Sequence, residues 1–231
     1  MHGRLRGQAE ALGGLLNKAN ARGSGMRLGK RMMTNIIVAG NNTGEQTMKP
    51  TDIVNINGGY NEMLSTDDPM ASIRKTFDDY AMMLDYRENI YRRNNGMASV
   101  NTVASPIKNL KILWNGIVGA DCYRIKSIDQ YEYLGGLTYT DSTHEQQSKQ
   151  HFLSNIKLKF SNQKNMELML SNRSYLGKTN GNTDRMLQGL DIDELTKGKL
   201  ATINNTLTWL YRHGNNVFSY HADLNFLINN H

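Results

Sequence analysis

The feature that most constrains the fold of this chain is a strict alternation of apolar and polar residues near its C-terminus. Large apolar side chains at 207, 209 and 211 alternate with threonines at 206 and 208. After the turn sequence His-Gly-Asn-Asn at 213–216, the alternation resumes with Phe218, Tyr220, Ala222, Leu224, Phe226 and Ile228. Successive side chains of a strand point to opposite faces, so a period of two indicates strands. A glycine- and asparagine-containing turn between two such runs predicts an antiparallel hairpin.

The same period of two recurs through the middle of the chain, after Gly96. It is carried by Leu110, Ile112 and Trp114, by Tyr123 and Ile125, and by Tyr131, Tyr133, Leu137 and Tyr139. Two further runs flank a predicted turn at 161–165, namely Ile156, Leu158 and Phe160 before it and Met166, Leu168 and Leu170 after it. With a short apolar run at 34–39, the sequence predicts about seven antiparallel strands that form a sandwich or a barrel.

Two segments have a helical pattern instead. Near 69–93, Pro69 suits the first turn of a helix, Asp67 or Asp68 can cap it, and apolar residues recur at helical spacing. A second, weaker helix is predicted near 191–204, where Gly198 interrupts the pattern. The predicted fold class is therefore α+β, mainly antiparallel β, with these two flanking helices and an extended basic N-terminal arm.

One stretch of the chain is similar to a known module. Residues 113–125 read LWNGIVGADCYRI, and Tyr139-Thr140-Asp141 follows later. The first stretch resembles strands B and C of a fibronectin type III module, and the second resembles a later part of that module. The resemblance is confined to 113–141. It implies a local sandwich and carries no particular function.

The positive charge of the protein is concentrated in residues 1–44. One acidic residue, Glu10, accompanies seven basic residues there, which gives 7 − 1 = +6, the formal net charge of the whole chain. The seven basic residues are Arg4, Arg6, Lys18, Arg22, Arg27, Lys30 and Arg31. Glycines punctuate the same segment and weaken any helix in it. We therefore expect a basic arm over 1–44 and a single β-rich globular domain over 45–231.

Length and composition exclude several classes of protein. A chain of 231 residues can bury a core of its own, and the lone Cys122 excludes an internal disulfide. The 27 asparagines are scattered and indicate many short connections. No apolar run approaches the ~20 residues that a membrane-spanning helix needs, so no membrane span is expected. The start of the chain also lacks the apolar stretch of a secretory signal.

The sequence contains no recognisable catalytic constellation. Gly23, Gly29 and Lys30 do not have the spacing of a phosphate-binding loop. His144 and His151 lie too far apart on a helix to share a metal without a third ligand. His221 and Asp223 lie on one face of a predicted strand, where the carboxylate could orient the imidazole. We interpret this pair as a solvated strand face, and we expect neither enzymatic activity nor a cofactor or metal site.

The preferred function is therefore that of a non-enzymatic structural subunit of a large assembly. A virion component such as a phage tail, neck or capsid protein is expected, by analogy with Asn- and Met-rich, Pro-poor proteins of that kind. Contacts with further copies and other subunits are assigned to the arm, to long loops, and to candidate interface residues Tyr86, Ile90, Tyr131 and Tyr133. The alternative is a nucleic-acid-binding protein whose basic arm contacts phosphates. The expected location is the virion, with the cytoplasm or the mitochondrion as alternatives.

Overall fold

The computed structural model describes residues 4–14, 18–44, 47, 90–133, 136, 138–162, 165–187 and 190–230, and these form one antiparallel sheet of nine strands. Each strand pairs with its neighbours along the chain, so the sheet is a continuous meander. The strands are β1 Arg4–Gly14, β2 Lys18–Leu28, β3 Met32–Asn41, β4 Ile90–Ile107, β5 Leu110–Glu132, β6 Thr138–Ser161, β7 Met166–Leu187, β8 Leu190–His213 and β9 Asn216–Asn230.

The C-terminal hairpin is confirmed. His213 lies opposite Asn216, so a two-residue loop joins β8 to β9. Gly214 has a φ of 57°, in the left-handed region that tight hairpin loops require and that glycine adopts without strain. The hairpin predicted around 161–165 is also confirmed, because β6 ends at Ser161 and β7 begins at Met166. The strand predicted at 34–39 lies within β3.

The prediction of an α+β fold is wrong: the described residues contain strands and no helix. Residues 191–204 lie in β8, where they pair with β7 on one side and in part with β9 on the other. The ladder hydrogen bonds with two neighbours outweigh the weak helix propensity of a segment that contains Gly198, Thr202 and Ile203. The helix predicted near 69–93 falls mostly outside the described residues, and its last four residues belong to β4.

The predicted sandwich or barrel is corrected to a single open sheet, and the strand number from about seven to nine. Residues of the predicted arm form β1, β2 and β3, which continue the same sheet. The division between residues 44 and 45 stays a prediction. The segment that resembles two fibronectin type III strands lies within the single strand β5.

The two faces of the sheet differ in burial. On β5 the odd-numbered residues include the buried Asn115, Ile117, Asp121 and Tyr123, whereas the even-numbered Val118 remains 53% exposed. Register extends these two faces to every strand. We call the face that contains Ile117 the packed face, and the face that contains Val118 the apolar face.

The packed face carries a small apolar core and many polar side chains. The core consists of Ile37, Ala39, Met97, Ile117, Leu153 and Tyr175, with Leu200 against it. Beside the core, a row of residues that lie opposite one another crosses seven strands, and six of its members are asparagines: Asn35, Asn101, Asn115, Asn155, Arg173, Asn204 and Asn225. Many asparagines that the sequence assigned to turns thus lie inside strands, as a ladder of amides on one face.

Candidate functional site

One row of the apolar face crosses all nine strands without a polar side chain. Its members lie opposite one another in register: Ala9, Gly23, Val38, Ala98, Val118, Phe152, Leu176, Ala201 and Ile228. Several are large and solvent-exposed, with 49% of Leu176 and 62% of Ile228 accessible. Soluble monomers rarely expose contiguous apolar patches larger than a few hundred Å², so a surface of this extent marks an interaction site.

Apolar residues extend from this row along the strands and form an apolar band. On β5 the band runs through the even-numbered positions 110–122, and on β9 through the even-numbered positions 218–228. On the strands between them the same face also carries polar side chains, namely Ser154 of β6, Asn172 and Ser174 of β7 and Asn205 of β8. At about 3.3 Å per residue these stretches measure roughly 40 Å and 33 Å along the strand. These stretches are about as long as, or slightly longer than, a tilted membrane-spanning strand of about 9–11 residues.

Aromatic side chains line the end of the apolar band near the 161–165 and 213–216 turns. Trp209 stacks on Tyr211 with ring centroids 6.0 Å apart, and Tyr211 contacts Phe218 at 6.5 Å. Tyr220 lies opposite Trp209, on the same face. Tyrosine and tryptophan have an apolar ring and a polar atom, which suits a boundary between an apolar and an aqueous environment.

The opposite end of the band is bordered by polar and basic side chains. The first row beyond the apolar row contains Gln150, Lys178, Lys199 and Asn230 on β6 to β9. Farther along the strands, the same face carries Arg124 and Lys126 of β5 and Lys197 of β8. The apolar face therefore changes from aromatic to aliphatic to basic along the strand direction.

A cleft of about 800 Å³ lies where the apolar row meets the basic border. Each strand from β4 to β8 contributes three consecutive residues to the lining of the cleft. The first and third residues of each triplet lie on the apolar face, and the second lies on the packed face. The lining includes Phe152, Leu176, Ala201 and Ile228 of the apolar row, and Lys178 and Lys199 of the border. The strand β9 contributes Ile228 and Asn230 but not the intervening residue. The cleft thus opens on the apolar face.

The basic residues predicted as contacts do not form a single cluster. Arg4, Arg6, Lys18 and Arg22 lie on the packed face of β1 and β2, with Glu10 opposite Arg22, whereas Arg27 lies on the apolar face. Lys30 and Arg31 lie in the connection between β2 and β3, and Arg31 donates a hydrogen bond to the carbonyl of Pro106 at 3.3 Å. The structure brings these side chains to both faces and one turn. Their role as partner or phosphate contacts stays a prediction.

Of the predicted interface residues, Tyr131 and Tyr133 are exposed and lie close together. Tyr139 stacks on both, with ring centroids 4.8 Å from Tyr131 and 5.7 Å from Tyr133. A hydrogen bond to Tyr133 is the main cause that raises the pKa of Tyr139 to about 12. Ile90 begins β4 and is half-buried, and Tyr86 lies outside the described residues. Sequence reasoning placed Tyr139 in the same strand pattern but did not single it out as their partner.

The histidines in the described part of the chain do not assemble a reaction centre. A chain of polar groups runs from Thr208 through His221 to Asp223. The Oγ1 of Thr208 lies 3.1 Å from Nδ1 of His221, and Nε2 of His221 lies 3.0 Å from Oδ2 of Asp223. The side chains of His221 and Asp223 are 59% and 48% accessible. Open water leaves such a chain without the low-dielectric, oriented surroundings that acyl-transfer chemistry uses. We keep the interpretation of a solvated strand face.

His151, on the packed face, makes stability depend on pH. Burial lowers its pKa below the ordinary 6.5, Lys149 lowers it further, and Asp121 opposes both. As the pH falls below 6.5 the unfolded chain binds the proton first, so the folded state should lose stability. We expect the urea midpoint to fall between pH 7.5 and pH 5.0 by more in the wild type than in His151→Gln. Equal slopes in the wild type and in His151→Gln would contradict this assignment.

Comparisons with known proteins give no family for the chain. In the described ranges, no three His, Cys, Asp or Glu side chains are grouped so as to hold a metal ion. The same ranges contain no helix that is long and apolar enough to cross a membrane. No protein-family model matches the sequence, and no curated protein matches it. The function has to be inferred from the geometry of the sheet.

Proposed function

We propose that the chain is a non-enzymatic structural element of a larger assembly, in which the apolar face of its sheet contacts the hydrocarbon of a lipid bilayer. The observation that carries the proposal is the apolar row that crosses nine strands from Ala9 to Ile228. At about 25 cal/mol per Å² of apolar area removed from water, covering such a face is strongly favourable.

The borders of the apolar band favour lipid over a second protein layer. A protein partner needs no particular length of apolar strand, whereas the apolar stretches of β5 and β9 are at least as long as a membrane-spanning strand of about 9–11 residues. Trp209, Tyr211 and Tyr220 lie at one end of the band, and Lys178 and Lys199 at the other. Aromatic residues at the membrane boundary and basic residues at the headgroups are the arrangement that a bilayer selects.

The two edges of the sheet explain why a larger assembly is required. Within the described residues, β1 and β9 each pair on one side only. In hydrocarbon every backbone N–H and C=O must be hydrogen-bonded, so both edges need partner strands.

This proposal departs from the expectation that the chain has no membrane span. That expectation depends on the absence of a continuous apolar run of helical length, and alternating strands do not produce such runs. The predictions of a virion, cytoplasmic or mitochondrial location remain untested, and so does the nucleic-acid alternative. The structural, non-enzymatic character of the chain is retained as part of the proposal.

Both tryptophans of the chain, Trp114 and Trp209, lie on the apolar face, which provides a direct test. We expect the protein to float with phosphatidylcholine vesicles and its tryptophan emission to shift to the blue. Brominated acyl chains should quench that emission, and aqueous acrylamide should quench it less than in the protein unfolded in urea. A protein that stays monodisperse in buffer, does not float and is not quenched by brominated lipid would overturn the proposal.

A further inference from the structure

We propose that Lys178 and Lys199 bind the phosphate of an anionic bilayer lipid, with an acyl chain of that lipid in the adjoining cleft. The inference rests on the proposed function and identifies the lipid class that one part of the apolar face prefers. Lys178 of β7 and Lys199 of β8 lie directly opposite each other, and both are exposed.

The two ammonium groups form a like-charged pair without a protein counter-ion. Side chains directly opposite on one face of an antiparallel pair have Cβ atoms about 4.5–5.5 Å apart, where like charges repel. No side chain in the described part of the chain makes an ion pair or hydrogen bond with either lysine. An anion bound between them would remove the repulsion, and a phosphate can accept hydrogen bonds from both.

The cleft beside the lysines supplies the apolar half of the site. Its volume of about 800 Å³ is lined by Phe152, Leu176, Ala201 and Ile228 on the side away from the lysines. Gln150 and Asn230 flank the lysine pair in register and offer amide N–H groups to a polar headgroup. A ligand that fits both halves has an anionic head and an apolar tail, arranged in that order along the strand.

A lipid explains these features better than a free phosphate ion. The lysines are on an open strand surface, so contacts with an ion alone would be weak. An acyl chain in the cleft adds apolar contact that a free ion lacks. The headgroup and its glycerol-linked chains would place the phosphate at the basic border, where a bilayer surface lies in the proposed orientation.

The test compares lipid classes bound to the full chain in detergent micelles by native mass spectrometry. We expect phosphatidylglycerol to bind at least tenfold more tightly than phosphatidylcholine. The variant Lys178→Gln/Lys199→Gln should reduce phosphatidylglycerol affinity by roughly 10- to 30-fold and leave phosphatidylcholine binding unchanged. The control Lys108→Gln/Lys111→Gln removes the same charge from the β4–β5 turn and the packed face of β5, and it should retain the preference.

Each other outcome overturns the inference. Equal losses in the two double variants would show an effect of net charge, and binding of inorganic phosphate with the affinity of the lipid would show a simple ion site. If dihexanoyl phosphatidylglycerol binds as tightly as the dioleoyl lipid, the cleft does not hold the acyl chain. Failure of the proposed function is distinct, because the protein would then not associate with phosphatidylcholine vesicles at all.

Discussion

Replacing Val118 with arginine should destabilise the folded protein in a phosphatidylcholine bilayer by about 1–2 kcal/mol, between the cost of a cation at the midplane of a lipid-facing sheet and its cost near the interface. Val118 lies at the centre of the apolar row, between Ala98 and Phe152, and is 53% accessible. If water covered this face, the same substitution of a half-exposed side chain would change stability by no more than about 0.5 kcal/mol. The two environments therefore predict effects that differ severalfold.

Ile128→Arg provides a matched control. Ile128 lies on the same strand and the same face and is 60% accessible, but it is separated from the apolar band by Arg124 and Lys126. We expect this variant to stay within about 0.5 kcal/mol of the wild type in the same vesicles. The measurement is equilibrium unfolding by guanidinium from vesicles, followed by tryptophan emission. Equal effects of the two substitutions would rule out lipid contact at Val118.

The strands that the sequence predicts correctly are those with local evidence in the chain itself. The hairpin of β8 and β9 was predictable because the alternation at 206–228 flanks a turn whose Gly214 adopts positive φ. The connection between β6 and β7 was predictable for the same reason. Each of these predictions depends only on a turn and on the two strands that the turn joins.

The errors arise where long-range pairing decides the conformation. The sequence predicts a weak helix over 191–204, yet this half of β8 pairs with 173–186 of β7. Arg93, the last residue of the helix predicted near 69–93, is instead buried in β4 beside Asp121. The helical or alternating pattern of a segment does not show whether it pairs with a strand about 20 or 30 residues away in the sequence.

The candidate site depends on register, which the sequence does not reveal. Val38, Val118 and Ile228 join one apolar row only because nine strands align, and the small residues Ala9 and Gly23 complete it without any apolar run of their own. Lys178 and Lys199 are 199 − 178 = 21 positions apart, yet directly opposite. The basic residues of 1–44 were prominent by charge, and pairing distributes them over both faces of β1 and β2.

The other large effect is expected at the buried ion pair between Arg93 and Asp121. The Nε of Arg93 donates a hydrogen bond of 3.0 Å to Oδ1 of Asp121, and Nη2 donates to Oδ2. The side chains are only 5% and 10% accessible. Asp121→Ala leaves a buried guanidinium without its carboxylate, so we expect a loss of about 3–5 kcal/mol. Urea unfolding monitored by circular dichroism measures that loss.

Two further variants separate the loss of the partner from the loss of a charge. Glu167→Ala breaks an exposed ion pair, because the side chains of Glu167 and Lys159 are 43% and 48% accessible. We expect this variant to lose no more than about 1 kcal/mol of unfolding free energy. The double variant Arg93→Met/Asp121→Leu removes both buried charges and should recover most of the stability lost in Asp121→Ala, because apolar side chains need no counter-ion. A double variant as unstable as the single one would show that Arg93 and Asp121 stabilise the sheet through contacts other than their mutual ion pair.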